Sequence, residues 1–344
     1  MRALLRASHT ARRRARGLRF LAIAVLGGCA SAKPRPAPAP RPPPPRVLVV
    51  GLEQVALRAT AWVELHAWLA SAARTHGEMG DPELDAAARD YASALADDDR
   101  DELLGRGAHA LEACDDERCA RAAVLGTPFA RPYLAALPGF LERHWTERAT
   151  TARDAIEVAR AAIPPEVEVL VNALARDLAI DWPLSPPPPV DVVAAAPEPG
   201  RDAPVRALLG AHGSCFSKER KESDRVQSAR ITDCVLGYAT LRLDDRSELA
   251  VAIDRELVAR GRASEQARAW TAVAVHAVAV TVATWEPRHV SSLRRSTAVV
   301  MPEAMEWLAD EWPARIRGEP VASFAKRYVE ALLAGQPSRA PSAP

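Results

Sequence analysis

Hydrophobic positions recur at spacings of three and four through most of this chain, and that period predicts helices. "LEQVALRATAWVELHAWLASAART" places Val55, Trp62, Leu65 and Leu69 on one side of a helix that Gly77 and Gly80 end. "DPELDAAARDYASALA" follows, with Asp81 as its cap and Pro82 in its first turn, and then "DDRDELLGRGAHALEAC". Pro128, Pro132 and Pro138 are expected to break "TPFARPYLAALPGFLERHW" into short pieces, because an interior proline removes a backbone donor and crowds the preceding turn. The helical rhythm resumes in "TERATTARDAIEVARAAI" and "PPEVEVLVNALARDLAI". It returns later in "DRVQSARITDCVLGYATLRL", "DRSELAVAIDRELVARG", "EQARAWTAVAVHAVAVTVATW", "PEAMEWLADEWPARIRG" and "VASFAKRYVEALLA". The one change of texture is "DWPLSPPPPVDVVAAAPEPG", where the proline run cannot be helix and "VDVVAAA" is a β-branched run of strand length. A mainly α fold is therefore expected, with at most a short strand near 190–196. It divides into an N-terminal helical half (46–180), a proline-rich hinge with the strand (181–200), a C-terminal helical half (201–335) and a disordered tail (336–344).

The N-terminus follows a different rule. Residues 1–19 carry seven arginines and no acid, and they run into an apolar segment from Leu18 to Gly28. That order is the charged region and then the apolar region of a signal peptide. The apolar run is about half the ~20 residues a bilayer-spanning helix needs, so a removable segment is expected rather than a permanent span. "LGGC" resembles the bacterial lipobox, in which a cysteine after small residues is lipidated and becomes the mature N-terminus. The resemblance makes residues 1–28 the signal and Cys29 the lipidated residue. The alternatives are a secreted protein cut at a nearby small-residue site and a cytoplasmic protein with a basic, apolar start. Arg12 and Arg13 stand at a poor spacing for twin-arginine export. Pro34 to Pro45 alternates proline with alanine and arginine and has nothing to bury, so 29–45 reads as an extended linker off a membrane surface. By resemblance to sorted lipoproteins, Ala30 is not the aspartate that retains such proteins at the inner membrane, which favours the outer membrane facing the periplasm. The membrane, reached through the N-terminal lipid, is the first expected partner.

Composition bounds what the rest can be. About 290 residues lie between Val47 and Gly335, enough for one large domain or two smaller ones with a real core. Hydrophobic residues make up 48% and aromatics only 5%, and the abundant alanines point to helices packed closely through small side chains. Lys and Arg total 45 against 44 acids, and much of that positive charge sits in the signal, so no basic stripe is left for nucleic acid. Setting Cys29 aside, four of the five cysteines remain, an even number that reads as two disulfides in an exported chain. Local pairing gives Cys114 with Cys119, at a turn between helices, and Cys215 with Cys234, stapling a charged segment to the following helix, although four cysteines allow three connectivities. A zinc reading lacks the ligand spacing, and a nucleophilic Cys215 after His212 would need a free thiolate.

The order of "ELHAWL", "FLERHW", a "WP…P" turn into "VDVV", and "AWTAVAVHAVA" over residues 55–310 resembles a group of bacterial exported, mostly helical proteins similar to HExxH zinc metallopeptidases. That resemblance implies a helix after "VDVV" carrying two metal-binding histidines and a glutamate that activates water. None of the eight histidines here is followed by glutamate, and the helix in that place reads "ARITDCVLGYATL". The resemblance therefore implies a scaffold without its reaction, and no cofactor is expected. His66, between Trp62 and Trp68, and His276, alone in "AVAVHAVAV", are the remaining metal candidates and could meet across the helix packing. A lone histidine in an apolar segment is more often a hydrogen-bonded core residue than a catalyst.

Four weaker features remain. "ADDDRDE" at 96–102 lacks the glycine and the terminal glutamate of a calcium loop and reads as a solvated helix start. "GSCF" is not a GxSxG elbow, and no strand is expected before it. The charged run Lys218, Glu219, Arg220, Lys221, Glu222, Asp224, Arg225 and Arg230 reads first as an exposed loop and helix start, and otherwise as a rigid rim for a partner. Trp307 and Trp312 lie five apart and could form a small exposed patch. Three functions are compatible with these features. The first is a membrane-anchored envelope lipoprotein acting as a non-catalytic binding or structural module. The second is a metal-dependent hydrolase with a site near His66 and His276, and the third is an assembly accessory for another envelope protein.

Overall fold

The apolar run "RVLVVG" does not begin a helix. Val47–Gly51 (β1) and Ala56–Thr60 (β2) form an antiparallel hairpin in which Gly51 faces Ala56 and Val47 faces Thr60. The first helix, α1 (Ala61–Thr75), starts only after β2, so Val55 lies outside the helix assigned to it from its spacing. Its apolar neighbours fit the alternation of a strand: Leu57 and Ala59 point into one core, while Arg58 points away from it. Two further strands, β3 (Pro189–Val193) and β4 (Leu208–Gly210), complete a four-stranded sheet of order β1-β2-β3-β4, with β2, β3 and β4 mutually parallel. The strand expected near 190–196 is β3. β4 also places a strand shortly before "GSCF", where none was expected. In the computed structural model the described residues are 45–51, 53–75, 79–94, 110–112, 114–182, 184–194, 208–210, 215–216 and 223–334. The signal segment 1–28, Cys29 and its linker as far as residue 44, the acidic run at 96–102, the charged residues Lys218–Glu222 and the tail 336–344 lie outside them.

The rest is mainly helical, as the hydrophobic period implies. α2 (Pro82–Ala94) is capped by Asp81, whose Oδ1 accepts from the amide of Glu83 at 3.0 Å and of Leu84 at 3.4 Å. α3 (Glu117–Val124) and α4 (Ala130–Arg143) follow, and α4 runs unbroken through Pro132 and Pro138. Pro132 stands in the first turn, where its missing N–H would have had no intrahelical partner. Pro138 sacrifices one bond, and the buried face of Tyr133, Ala136, Leu137 and Phe140 holds the helix on either side of it. Then come α5 (Trp145–Ala162), α6 (Val167–Leu178), α7 (Asp224–Leu241), α8 (Glu248–Ala259), α9 (Gln266–Trp285), α10 (Ser292–Val300), α11 (Pro302–Ile316) and α12 (Val321–Ala334).

These helices share two cores. One gathers α1 to α4 with Trp145 and Ala149 from the start of α5. The other gathers the rest of α5, the sheet residues Leu57, Ala59, Val190 and Val192, and α6 to α12. α9 is long and apolar enough to cross a bilayer, yet it is largely buried and packs against α6, α7, α8, α10 and α11. The alanines of these helices let neighbours approach, and Gly237 in α7 marks a close approach to α10, where an added Cβ would come within 2.7 Å of Leu293 Cδ1. Trp307 and Trp312 do not form an exposed patch. Trp312 is buried, and half-buried Trp307 packs on Phe324 and Tyr328.

The two cysteine pairs are disulfides, Cys114–Cys119 and Cys215–Cys234, with Cα atoms 5.3 and 6.2 Å apart. Where β2 and β3 pair, Arg58 stands beside Asp191, and its guanidinium grips that carboxylate with bonds of 2.9 and 3.1 Å. Arg242, at the C-terminal end of α7, reaches the same carboxylate at 2.8 Å and Glu112 at 3.0 Å. A buried ionic knot thus ties the sheet to α7 and to the chain segment before Cys114.

Candidate functional site

A cavity of about 190 Å³ opens between the β1–β2 turn, the end of α5, the start of α6 and the middle of α7. Its walls are aliphatic, formed by Val55, Ile163, Val167, Val235 and Leu236. Four exposed residues stand on its solvent side: Glu53, Arg160, Pro165 and Glu168. Among its described lining residues, two polar side chains are buried. Gln54 is 6% exposed and Thr232 is fully buried, and neither Gln54 Oε1 nor Thr232 Oγ1 has a hydrogen-bond partner among the described residues.

Local structure explains why both groups are presented to the cavity. Trp182 Nε1 donates to the backbone carbonyl of Gln54 at 3.1 Å, which pins the turn after β1 and leaves the amide side chain to the cavity. A helical threonine ordinarily satisfies its hydroxyl on the carbonyl four residues back, as Thr271 and Thr297 do here, at 2.7 and 2.9 Å. Thr232 does not. One turn earlier, Ser228 Oγ donates to the carbonyl of Ala162 and fastens α7 to the end of α5. Leaving a buried polar group unmatched costs about 1–3 kcal/mol each, so two beside one cavity are a concentration of unmet hydrogen-bonding capacity.

The histidines singled out in the sequence do not converge. His66 lies in the first core, with its ring 5.1 Å from Phe129 and 5.9 Å from Tyr91, and its Nδ1 is 3.3 Å from the Tyr91 hydroxyl. His276 lies in the second, edge-on to Trp312 at 5.6 Å, where burial and then the nearby Arg294 charge lower its pKa to about 3. The expected meeting of the two across the helix packing is therefore absent: each sits among the aromatic residues of a different core. Among the described residues, no three His, Cys, Asp or Glu side chains gather closely enough to hold a metal.

A second polar cluster carried no signal in the sequence. Asp233, next to Thr232 on α7, accepts from Ser291 Oγ at 2.8 Å, and His289 Nε2 stands 3.5 Å from the same oxygen. Nucleophilic activation requires an imidazole between serine and carboxylate. Here the carboxylate lies between the other two. Ser291 Oγ also accepts the Arg294 amide at 3.1 Å as the N-cap of α10, so the cluster docks that helix on α7.

No family model, curated protein or solved structure matches this chain. The exposed side of the cavity beside Gln54 and Thr232 carries two carboxylates, Glu53 and Glu168, against one guanidinium, and Arg160 already pairs with Glu157 at 3.6 Å. Such a site can seat a small apolar body and complete two hydrogen bonds. Its described lining residues include no serine, cysteine, histidine or lysine.

Proposed function

We propose that this chain is a lipid-anchored protein of the bacterial envelope whose folded body is a non-catalytic binding module, with the cavity beside Gln54 and Thr232 as its site. The observation that carries the reading is the pairing of an aliphatic cavity with two buried, unmatched polar atoms, the combination by which small-molecule sites fix orientation within an apolar surround. The anchor rests on the sequence: the arginine-rich start, the short apolar run, the small residues before Cys29 and the proline-rich spacer. Two disulfides support an exported setting, because such bonds persist in oxidising compartments.

Two measurements test the two halves of this reading. Labelled palmitate is expected on the wild type and not on Cys29→Ser, which moves to the soluble periplasm; label retained by the variant refutes the anchor. For the site, an NMR titration of the oxidised chain with a chemically mixed set of small fragments is expected to shift the amides of Val55, Thr232 and Val235. A set that leaves those amides unmoved refutes the binding role.

A further inference from the structure

The cavity's own chemistry narrows what it holds. An empty cavity of about 150 Å³ lined by aliphatic and aromatic side chains accepts benzene, so about 190 Å³ leaves room for a six-membered ring or a branched alkyl group plus a short head. The walls contribute Val55, Ile163, Val167, Val235 and Leu236, which match such a body without aromatic stacking.

The head is set by the two unmatched atoms. Gln54 Oε1 accepts only, so its partner must donate, whereas the Thr232 hydroxyl can donate or accept. A single hydroxyl or amino group satisfies both. Charge decides the rest: Glu53 and Glu168 face the solvent side of the cavity, and Arg160, the one cation among the described lining residues, pairs with Glu157 at 3.6 Å. A carboxylate or phosphate head would meet an acceptor inside and two acids outside, with no unpaired cation among the described lining residues.

We infer that the cavity binds a compact apolar molecule with one non-anionic, hydrogen-bond-donating head, a hydroxyl or an amine. This inference rests on the binding role proposed above and adds the class of ligand.

The test uses four probes of one size, benzyl alcohol, benzylamine, toluene and benzoate, titrated into the mature Cys29→Ser chain, which needs no detergent. Benzyl alcohol and benzylamine are expected to move the Thr232 and Val235 amides to saturation. Toluene and benzoate are expected to bind at least about tenfold more weakly, the effect of one lost hydrogen bond of about 1.4 kcal/mol. Thr232→Val, close to isosteric, is expected to weaken benzyl alcohol about tenfold and leave toluene unchanged, and Thr232→Ser is expected to restore the alcohol. Toluene binding as well as benzyl alcohol, or benzoate binding best, overturns the ligand class while the pocket stands. Shifts from none of the four, when other fragments do shift those amides, overturn the class as well; silence from every fragment removes the site itself.

Discussion

His276 gives the sharpest prediction about how this fold responds to acid. Its imidazole is 1% exposed, lies edge-on to Trp312, and has a buried Nδ1 without a hydrogen-bond partner among the described residues. Burial, reinforced by Arg294, lowers its pKa from 6.5 to about 3, so the folded protein holds it neutral. The unfolded chain, with a histidine near 6.5, takes up a proton that the folded chain refuses. The stabilisation from keeping this ring neutral is therefore complete above pH 6.5 and declines as the pH falls toward 3. Between pH 8 and pH 5 the loss from this one site is about 2 kcal/mol, because at pH 5 the unfolded form is protonated about thirtyfold over neutral while the folded form is hardly protonated. His276→Phe keeps a ring against Trp312 and removes the titrating group. Urea unfolding of the wild type and the variant at pH 8, 6.5 and 5 measures the difference. The wild type is expected to lose about 2 kcal/mol more than the variant over that range. A difference that stays constant within about 0.5 kcal/mol would refute a buried neutral His276.

Three further perturbations test the frame around the site. Asp191→Asn removes the charge shared by Arg58 and Arg242, leaving Arg242 with Glu112 and the buried Arg58 with the exposed Asp115 at 3.7 Å, so chemical denaturation is expected to show a loss of about 3 kcal/mol. Replacing Cys215 and Cys234 together by alanine reopens a loop of 19 residues and is expected to cost about 3 kcal/mol, read as a lower urea midpoint; an unchanged midpoint contradicts a native staple there. Asp81→Ala removes the α2 cap and the contacts with Arg143 and His144, at a cost of about 1 kcal/mol near pH 7. Those two partners hold the Asp81 carboxyl well below the usual carboxylate range, so its stabilisation is present above about pH 4 and is lost as the pH falls further; the wild-type advantage over the variant should shrink with it.

The helices were legible where one apolar face dominates. α12 has the bounds its sequence suggests, and α9 reads as buried because it is apolar all round. The β1–β2 hairpin was not legible, because Val55, Trp62, Leu65 and Leu69 also satisfy a helical spacing and a strand of five residues is too short to outweigh them. α4 was missed for the opposite reason: two prolines argue against it locally, and burial of Tyr133, Leu137 and Phe140 overrides them. Both disulfides could be paired from the local spacing of the cysteines and the expectation of export, which rest on the sequence alone. The cavity could not. Gln54 lies in a turn and Thr232 in a helix far along the chain, and each looks ordinary until folding buries both polar atoms unmatched beside one space.

Native mass spectrometry of the protein, purified gently from the cells that make it, puts the cavity's role as a binding site to the plainest test. The wild type is expected to carry one small non-covalent molecule per chain, and Val235→Phe, which fills the cavity from α7, is expected to carry none while keeping its helical spectrum. A wild type without such a molecule, or a filled variant that retains it undiminished, contradicts the assignment of this cavity as the binding site.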